Sequence, residues 1–253
     1  MEFVRLTQDN LEREHICCAI SNNNDIQVAS KKAWLKERLD DGLVFLKGDV
    51  RGKCFIEYLP AECAWAPVEA SGYMYVDCLW VSGQFKGHGY GAELLDACIL
   101  DSKAKGKRGL AILSSPKKLG FLADRKFMEH SGFALADTAE PYFELLYLPF
   151  DKSASKPHFA ESAKLAHHAD MGSGFALYYT SQCPFTAKYV PLLANVAKEK
   201  NAALRTVHIC TREQAQSAPS PFTTFALFYN GDFITHEIQS EKKFAAILEQ
   251  YAE

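Results

Sequence analysis

Gln84-Phe-Lys-Gly-His-Gly-Tyr-Gly91 lies between an apolar extended run, Tyr73 to Val81 (YMYVDCLWV), and a stretch in which Leu94, Leu95, Cys98 and Ile99 recur at helical spacing. Glycines at every second position, Gly87, Gly89 and Gly91, remove Cβ atoms. Successive backbone N–H groups can then converge on an anion at the mouth of the following helix. The preceding run is aromatic and β-branched and carries a single charge, Asp77, as a largely buried strand does. Gly106, after Lys103 and Lys105, supplies the helix stop. The unit reads strand, glycine-rich turn, helix, and predicts a phosphorylated ligand.

Spacing separates the folds that share this unit. A dinucleotide-binding turn needs two residues between its second and third glycines and an acidic residue ending the next strand. Here one residue intervenes, and the next strand, Leu110 to Leu113, runs into Ser114 and Ser115. A P-loop needs Gly-Lys followed by Ser or Thr, which the segment lacks, and the kinase glycine loop belongs to a hairpin.

The segment resembles the acetyl-CoA motif of the GNAT N-acetyltransferase superfamily, Gln/Arg-x-x-Gly-x-Gly/Ala, met by Gln84, Gly87 and Gly89. Leu79-Trp80-Val81 stands where that family holds the pantetheine arm with main-chain groups, and Phe127-Met-Glu-His-Ser-Gly-Phe133 resembles its late helix-turn signature. The resemblance covers about residues 1–150. It implies an acyl-CoA N-acyltransferase fold of α/β class, with acetyl-CoA bound by Leu79, Trp80, Val81, Gln84, Lys86, Gly87, His88, Gly89, Tyr90 and Gly91, His88 flanking phosphate. It also implies transfer of the acetyl group to a primary amine of a small molecule or peptide, by direct attack in a ternary complex.

Strict alternation along the strand puts Tyr75, Asp77, Leu79 and Val81 on one face and Val76, Cys78 and Trp80 on the other. A carboxylate inside such a strand must be paired, hydrogen-bonded or functional, since bare burial costs several kcal/mol. Asp77 is therefore expected to bind or deprotonate the amine, with a structural ion pair as the competing reading and Glu57 and Glu144 as alternatives. The family's usual tyrosine acid falls at Met128, which cannot donate a proton. Solvent, Tyr142, Tyr75 or Ser115 is left to protonate the departing sulfur. The asparagine that often precedes this helix is absent, with Phe121 near its place.

At 253 residues the chain is long enough for two units with separate cores, and its 48% hydrophobic content fits a folded protein. No apolar stretch approaches the ~20 residues of a membrane span, and the amino terminus lacks a signal-peptide pattern, so a cytoplasmic location is expected. A net charge of −3 gives no overall electrostatic case for nucleic acid, which leaves only a local basic patch open, and no nucleic-acid partner is expected. The eight cysteines include no Cys-x-x-Cys, Cys17-Cys18 reads as small core residues, and His167-His168 has no partners at zinc spacing and reads as a solvated linker. No metal is expected.

Elements predicted before residue 150 are a strand at 3–6, helices at 11–20 and 26–39, strands at 43–47, 53–59 and 73–81, the cradle helix, a strand at 110–114, a helix at 121–130 and strands at 133–135 and 142–148. Residues 151–173 turn to Lys, Ser, Ala, His and Gly and read as a connection. Residues 174–253 then read βαβαββα, with Asn230-Gly231 as a hairpin turn between strands at 222–229 and 233–237. That order is similar to a thioredoxin-like domain, and Tyr179-Thr-Ser-Gln-Cys-Pro-Phe-Thr186 resembles the glutaredoxin active-site turn. The resemblance implies a Cys183 thiolate stabilised by a helix N-terminus. Thr186 stands where a second cysteine would sit, and Thr223 where the family has its cis-proline, with Pro219 and Pro221 upstream. The two-part architecture resembles the YoaP-like group. A monothiol redox or thiol-binding protein using Cys183, or a non-catalytic CoA sensor, remains the alternative.

Overall fold

The computed structural model describes residues 1–19 and 22–251. The first part runs β1 (Phe3–Arg5), α1 (Ile26–Leu39), β2 (Val44–Gly48), β3 (Cys54–Pro60), β4 (Val68–Glu69), β5 (Tyr73–Val81), α2 (Tyr90–Ala104), β6 (Gly109–Ser115), β7 (Ala123–Asp124), α3 (Arg125–His130), β8 (Ala134–Ala139) and β9 (Phe143–Pro149). There follow β10 (His158–Phe159), β11 (Phe175–Tyr179), α4 (Pro184–Glu199), β12 (Leu204–His208), α5 (Arg212–Gln216), β13 (Phe225–Tyr229), β14 (Asp232–Thr235) and α6 (Glu241–Gln250).

The large sheet has the order β1-β2-β3-β5-β6-β9-β8, with β7 also beside β6. Its central pair, β5 and β6, is parallel, whereas β3 and β9 join that pair antiparallel. α2 and α3 cover one face through Leu94, Leu95, Cys98 and Met128, packed on Ile56, Met74, Val76 and Ile112. α1 covers the other through Val28, Trp34 and Leu35, with Phe45, Phe55, Tyr75 and Phe143. The second sheet has the order β12-β11-β13-β14, β11 and β12 parallel and the rest antiparallel, with α4 and α6 packed on one face.

The second unit sits on the α1 face of the large sheet. Ile209, Ala215 and Ala218 enter the same apolar cluster as Trp34 and Trp65. Polar contacts reinforce it: Arg212 pairs with Asp41 at 2.7 Å, and Gln216 Nε2 donates to the Glu62 and Ala64 carbonyls at 3.2 Å. Residues 151–173 are packed as well, with β10 paired to β4, Phe159 fully buried, and His167 bonded to Asp232 at 2.7 Å.

Three sequence expectations change. Residues 11–19 form turns, not a helix, and Ile20 lies outside the described residues. The Glu12 carbonyl, which a helix would need, instead accepts from Lys32 Nζ at 2.6 Å and Asn23 Nδ2 at 3.2 Å. The helix expected at 121–130 starts at Arg125, because Asp124 caps it by accepting from the Lys126 and Phe127 N–H groups. The strand expected from Phe222 starts at Phe225; Thr223 Oγ1 is turned to the Trp65 carbonyl of the first unit.

Candidate active site

β5 and β6 pair only from Tyr73 with Gly109 to Val76 with Ile112. Beyond this β5 follows β3 to Val81, while β6 follows β9 to Ser114, so a gap opens in the middle of the sheet. Backbone groups of β5 that would have paired with β6 face that gap. The parting coincides with a β-bulge. On β3, Glu57 faces Cys78 and Tyr58 faces Val76, which leaves Asp77 as the inserted residue.

The bulge corrects the alternation expected for this strand. Cys78 and Trp80 lie with Tyr75 on the α1 face, whereas Leu79 and Val81 lie with Val76 on the α2 face. An inserted residue moves every later side chain to the opposite side. Asp77 thus parts from Leu79 and Val81.

On the α2 side of the gap, Gly83, Gly87 and Gly89 adopt φ of +63°, +80° and +81°, and a Cβ on any of them would project into open space. Gly89 is the N-cap of α2, its carbonyl accepting from the Ala92 and Glu93 N–H groups at 2.9 and 3.1 Å. The Phe85 and Lys86 N–H groups bond back to Ser82 and Gly83. None of these bonds uses an N–H between Gly87 and Gly91. Gln84, Lys86 and His88 are exposed around this turn, and the His88 ring stacks on Tyr90 at 5.8 Å. The geometry fits a phosphate-bearing group: open left-handed glycines, unspent N–H groups and the positive end of a 15-residue helix.

On the α1 side lies a cluster of charge. Lys31 Nζ holds both carboxylate oxygens of Glu57 at 2.8 and 2.6 Å and the Gln182 carbonyl, in the turn before α4, at 2.8 Å. Both side chains of the pair are 2% exposed. Burial opposes the charge on Lys31, but the Glu57 carboxylate outweighs it and raises the Lys31 pKa. Asp77 shares this pocket. Burial, with Glu57 adding, pushes its carboxyl well above the usual carboxylate range, against the pull of Lys31 and a hydrogen bond with the Gln182 side chain. Such a carboxyl keeps its proton to higher pH than an ordinary carboxylate, whereas Glu57 is spent on Lys31. Lys31 escaped the sequence reading, although its position between Val28 and Leu35 at core spacing was a signal: a charge on the buried stripe of a helix needs a buried partner.

The other candidates fall in several places. Tyr75 is buried, and burial raises its hydroxyl pKa, with Asp77 adding. Tyr142 is raised to about 12, chiefly by burial, and donates to His236 Nδ1 at 2.8 Å, since His236 Nε2–H is directed to the Gly120 carbonyl at 2.8 Å. Ser115 Oγ is bonded to the Lys117 carbonyl. Met128 is buried in the α2 and α3 core. Glu144 pairs with Arg125 and leaves its Oε2 buried without a partner among the described residues. Cys183, the N-cap of α4, differs from expectation. Burial pushes its thiol up to about 11 despite the Phe185 N–H and Lys31, so it is not a depressed-pKa thiol. Thr186 Oγ1 donates to the Thr180 and Cys183 carbonyls at 2.8 and 2.7 Å, a purely structural engagement.

The YoaP-like family model matches residues 204–245. Over 253 residues, 100% of both chains, the sequence is 42% identical to the uncharacterized N-acetyltransferase YoaP of Bacillus subtilis (strain 168). The chain belongs to the YoaP-like family. Solved structures that resemble it include the PaiA N-acetyltransferase of Thermoplasma acidophilum in complex with coenzyme A, at 16% identity over 59% of this chain and 100% of that one, TM-score 0.39. Ard1 from Thermoplasma volcanium is 9% identical over 60% and 98%, TM-score 0.42. Among the described residues of this YoaP-like chain, no group of three or more His, Cys, Asp or Glu could hold a metal ion, and no helix is long and apolar enough to cross a membrane.

Proposed function

We propose that this YoaP-like protein transfers the acetyl group of acetyl-CoA to a primary amine, with the donor entering from the α2 side of the gap and the amine from the α1 side. One observation carries the reading: a glycine cradle and a buried carboxyl pocket open on opposite faces of the sheet at the point where β5 and β6 part. Bound acetyl-CoA would supply the activated thioester. The N–H groups from Gly87 to Gly91 would take the pyrophosphate, with Gln84, Lys86, His88 and Tyr90 around them, and main-chain groups from Leu79 to Val81 would line the gap. Asp77 would accept the proton of the attacking amine. Lys31 fixes Glu57 and the Gln182 turn, so two units build one pocket and much of the rate comes from positioning. Neither Tyr75, deeply buried, nor Tyr142, engaged with His236, offers a free hydroxyl, which favours solvent as the proton source for the departing sulfur.

In the same reading, residues 1–150 form the GNAT unit, 151–173 the connection and 174–253 a thioredoxin-like unit that closes the acceptor side. The raised Cys183 pKa and the structural bonds of Thr186 support a shaping role for it over thiol exchange.

Calorimetric titration with acetyl-CoA tests the reading: saturable binding is expected, and absence of binding at millimolar ligand sinks it. Gly89→Glu puts a carboxylate into the cradle at a left-handed position and should lower affinity at least a hundredfold. A binding protein that acetylates nothing in a broad amine panel would instead be a CoA sensor.

A further inference from the structure

We infer that the acceptor carries an apolar, ring-sized body and an anionic group at the end away from its amine, and that an open cleft between the two units is the subsite that reads these features. The inference deepens the acetyltransferase reading and depends on it. The cleft is lined by Phe121, Phe185, Tyr189, Ile238, Ser240 and Lys243. Phe185 and Tyr189 are four residues apart on α4 and so present one face. Phe121 comes from the loop after β6 of the other unit, is 44% exposed, and sits at φ +66°. An aromatic residue rarely adopts that backbone. Its neighbour Gly120 is held at both ends by the second unit, the N–H by Glu237 at 3.0 Å and the carbonyl by His236 at 2.8 Å. The clamp keeps a strained, solvent-facing ring at the mouth of a cleft.

Phe185 links the cleft to the strand that carries Asp77. Lys53 Nζ lies 3.8 Å from the ring centre of Trp80 on β5 and 5.5 Å from that of Phe185. Phe185 follows, after two residues, the Gln182 that contacts Lys31 and Asp77. An amine at Asp77 therefore has its body directed along α4, between Phe185, Tyr189 and Phe121. Lys243, on α6, also lines the cleft and is in no ion pair among the described residues, and the cleft lining contains no acidic residue. The groups along this line are the Asp77 carboxyl, aromatic walls with the Lys53 ammonium held against the Trp80 and Phe185 rings, and the Lys243 ammonium, which complements amine, ring and anion.

Two probes separate the parts. Phenethylamine and 4-(2-aminoethyl)benzoate share the amine and ring and differ by the terminal carboxylate. At low ionic strength the full-length protein should acetylate the benzoate with kcat/KM at least fivefold higher than phenethylamine, and Lys243→Gln should bring the ratio of the two values to about one. Equal kcat/KM for the two amines, or a preference that persists in Lys243→Gln, overturns the assignment of the cleft and leaves the transferase reading standing. Equilibrium binding of both amines, measured by calorimetry on the same proteins, gives an activity-independent reading. Selective, Lys243-dependent binding without turnover upholds the cleft and counts against the transferase, whereas binding of neither amine overturns the cleft.

Discussion

Asp77 joins the chemistry of the site to its geometry. Its carboxyl is raised by burial and by Glu57, so the folded protein holds a proton there over a range of pH in which the unfolded chain, with a carboxyl near 3.9, does not. The native state then binds more protons than the unfolded one, and the stability from this group falls as pH rises through the folded pKa. Asp77→Asn removes that dependence. The variant's thermal midpoint should exceed that of the wild type at alkaline pH, the margin shrinking towards pH 4, while kcat drops about a hundredfold with acetyl-CoA affinity unchanged. A wild-type kcat in the variant would remove Asp77 from the proton path. Much of this residue was legible, since a lone charge in YMYVDCLWV demands an explanation. Its neighbours were not: no glycine marks the bulge, which arises where β5 leaves β6 for β3, a tertiary cause invisible to local alternation. Cys183 departs, for a related reason, from the stabilised thiolate that the glutaredoxin resemblance implies. A helix N-terminus lowers a thiol pKa, but desolvation under the first unit outweighs it. Labelling Cys183 with iodoacetamide at pH 8 should run at least tenfold slower than for an exposed cysteine.

At the scale of elements, α1, β3 and the turn before α4 meet at Lys31. Lys31→Met leaves the Glu57 carboxylate buried without its partner and should destabilise the protein by about 3–5 kcal/mol in urea titrations. Adding Glu57→Leu should recover most of that stability without recovering activity, because the Gln182 turn stays untethered. A single variant as stable as wild type would show that solvent reaches Glu57. The elements themselves were largely legible where one local signal sets both type and end, as in the cradle helix, whose start is fixed by Gly89 and whose pattern follows from Leu94, Leu95 and Cys98. They failed where a side chain overrides the expected backbone: Lys32 and Asn23 take the Glu12 carbonyl, and the Asp124 cap starts α3 at Arg125 instead of Phe121. Lys31 and Gln182 are 151 residues apart, and only the packing of α1 against α4 makes their partnership visible.

The whole molecule is more tightly knit than its two sequence textures suggest. Trp34, Trp65, Phe143 and Phe159 share an apolar cluster with Ile209, Ala215 and Ala218, and the two units also meet at Lys31, Arg212, Thr223 and His236. His236 is the telling group. It is 1% exposed, packs among Tyr142, Phe143 and Phe222, and spends both ring nitrogens on the first unit. Burial lowers its pKa, against the Gly120 carbonyl and Glu237. The unfolded chain, with a histidine near 6.5, therefore takes up a proton before the native state does, and stability falls as pH drops below about 6.5. Because His236 bonds the second unit to the first through both ring nitrogens, acid should loosen both units together. Calorimetry should show one transition whose measured enthalpy equals its van't Hoff enthalpy, moving to lower temperature as a unit between pH 7 and pH 5. His236→Gln should lower the midpoint at pH 7 through lost packing, yet flatten its decline towards pH 5. Two resolved transitions, with only the later one sensitive to acid, would mean that the units fold apart and that the acceptor pocket forms only when they dock.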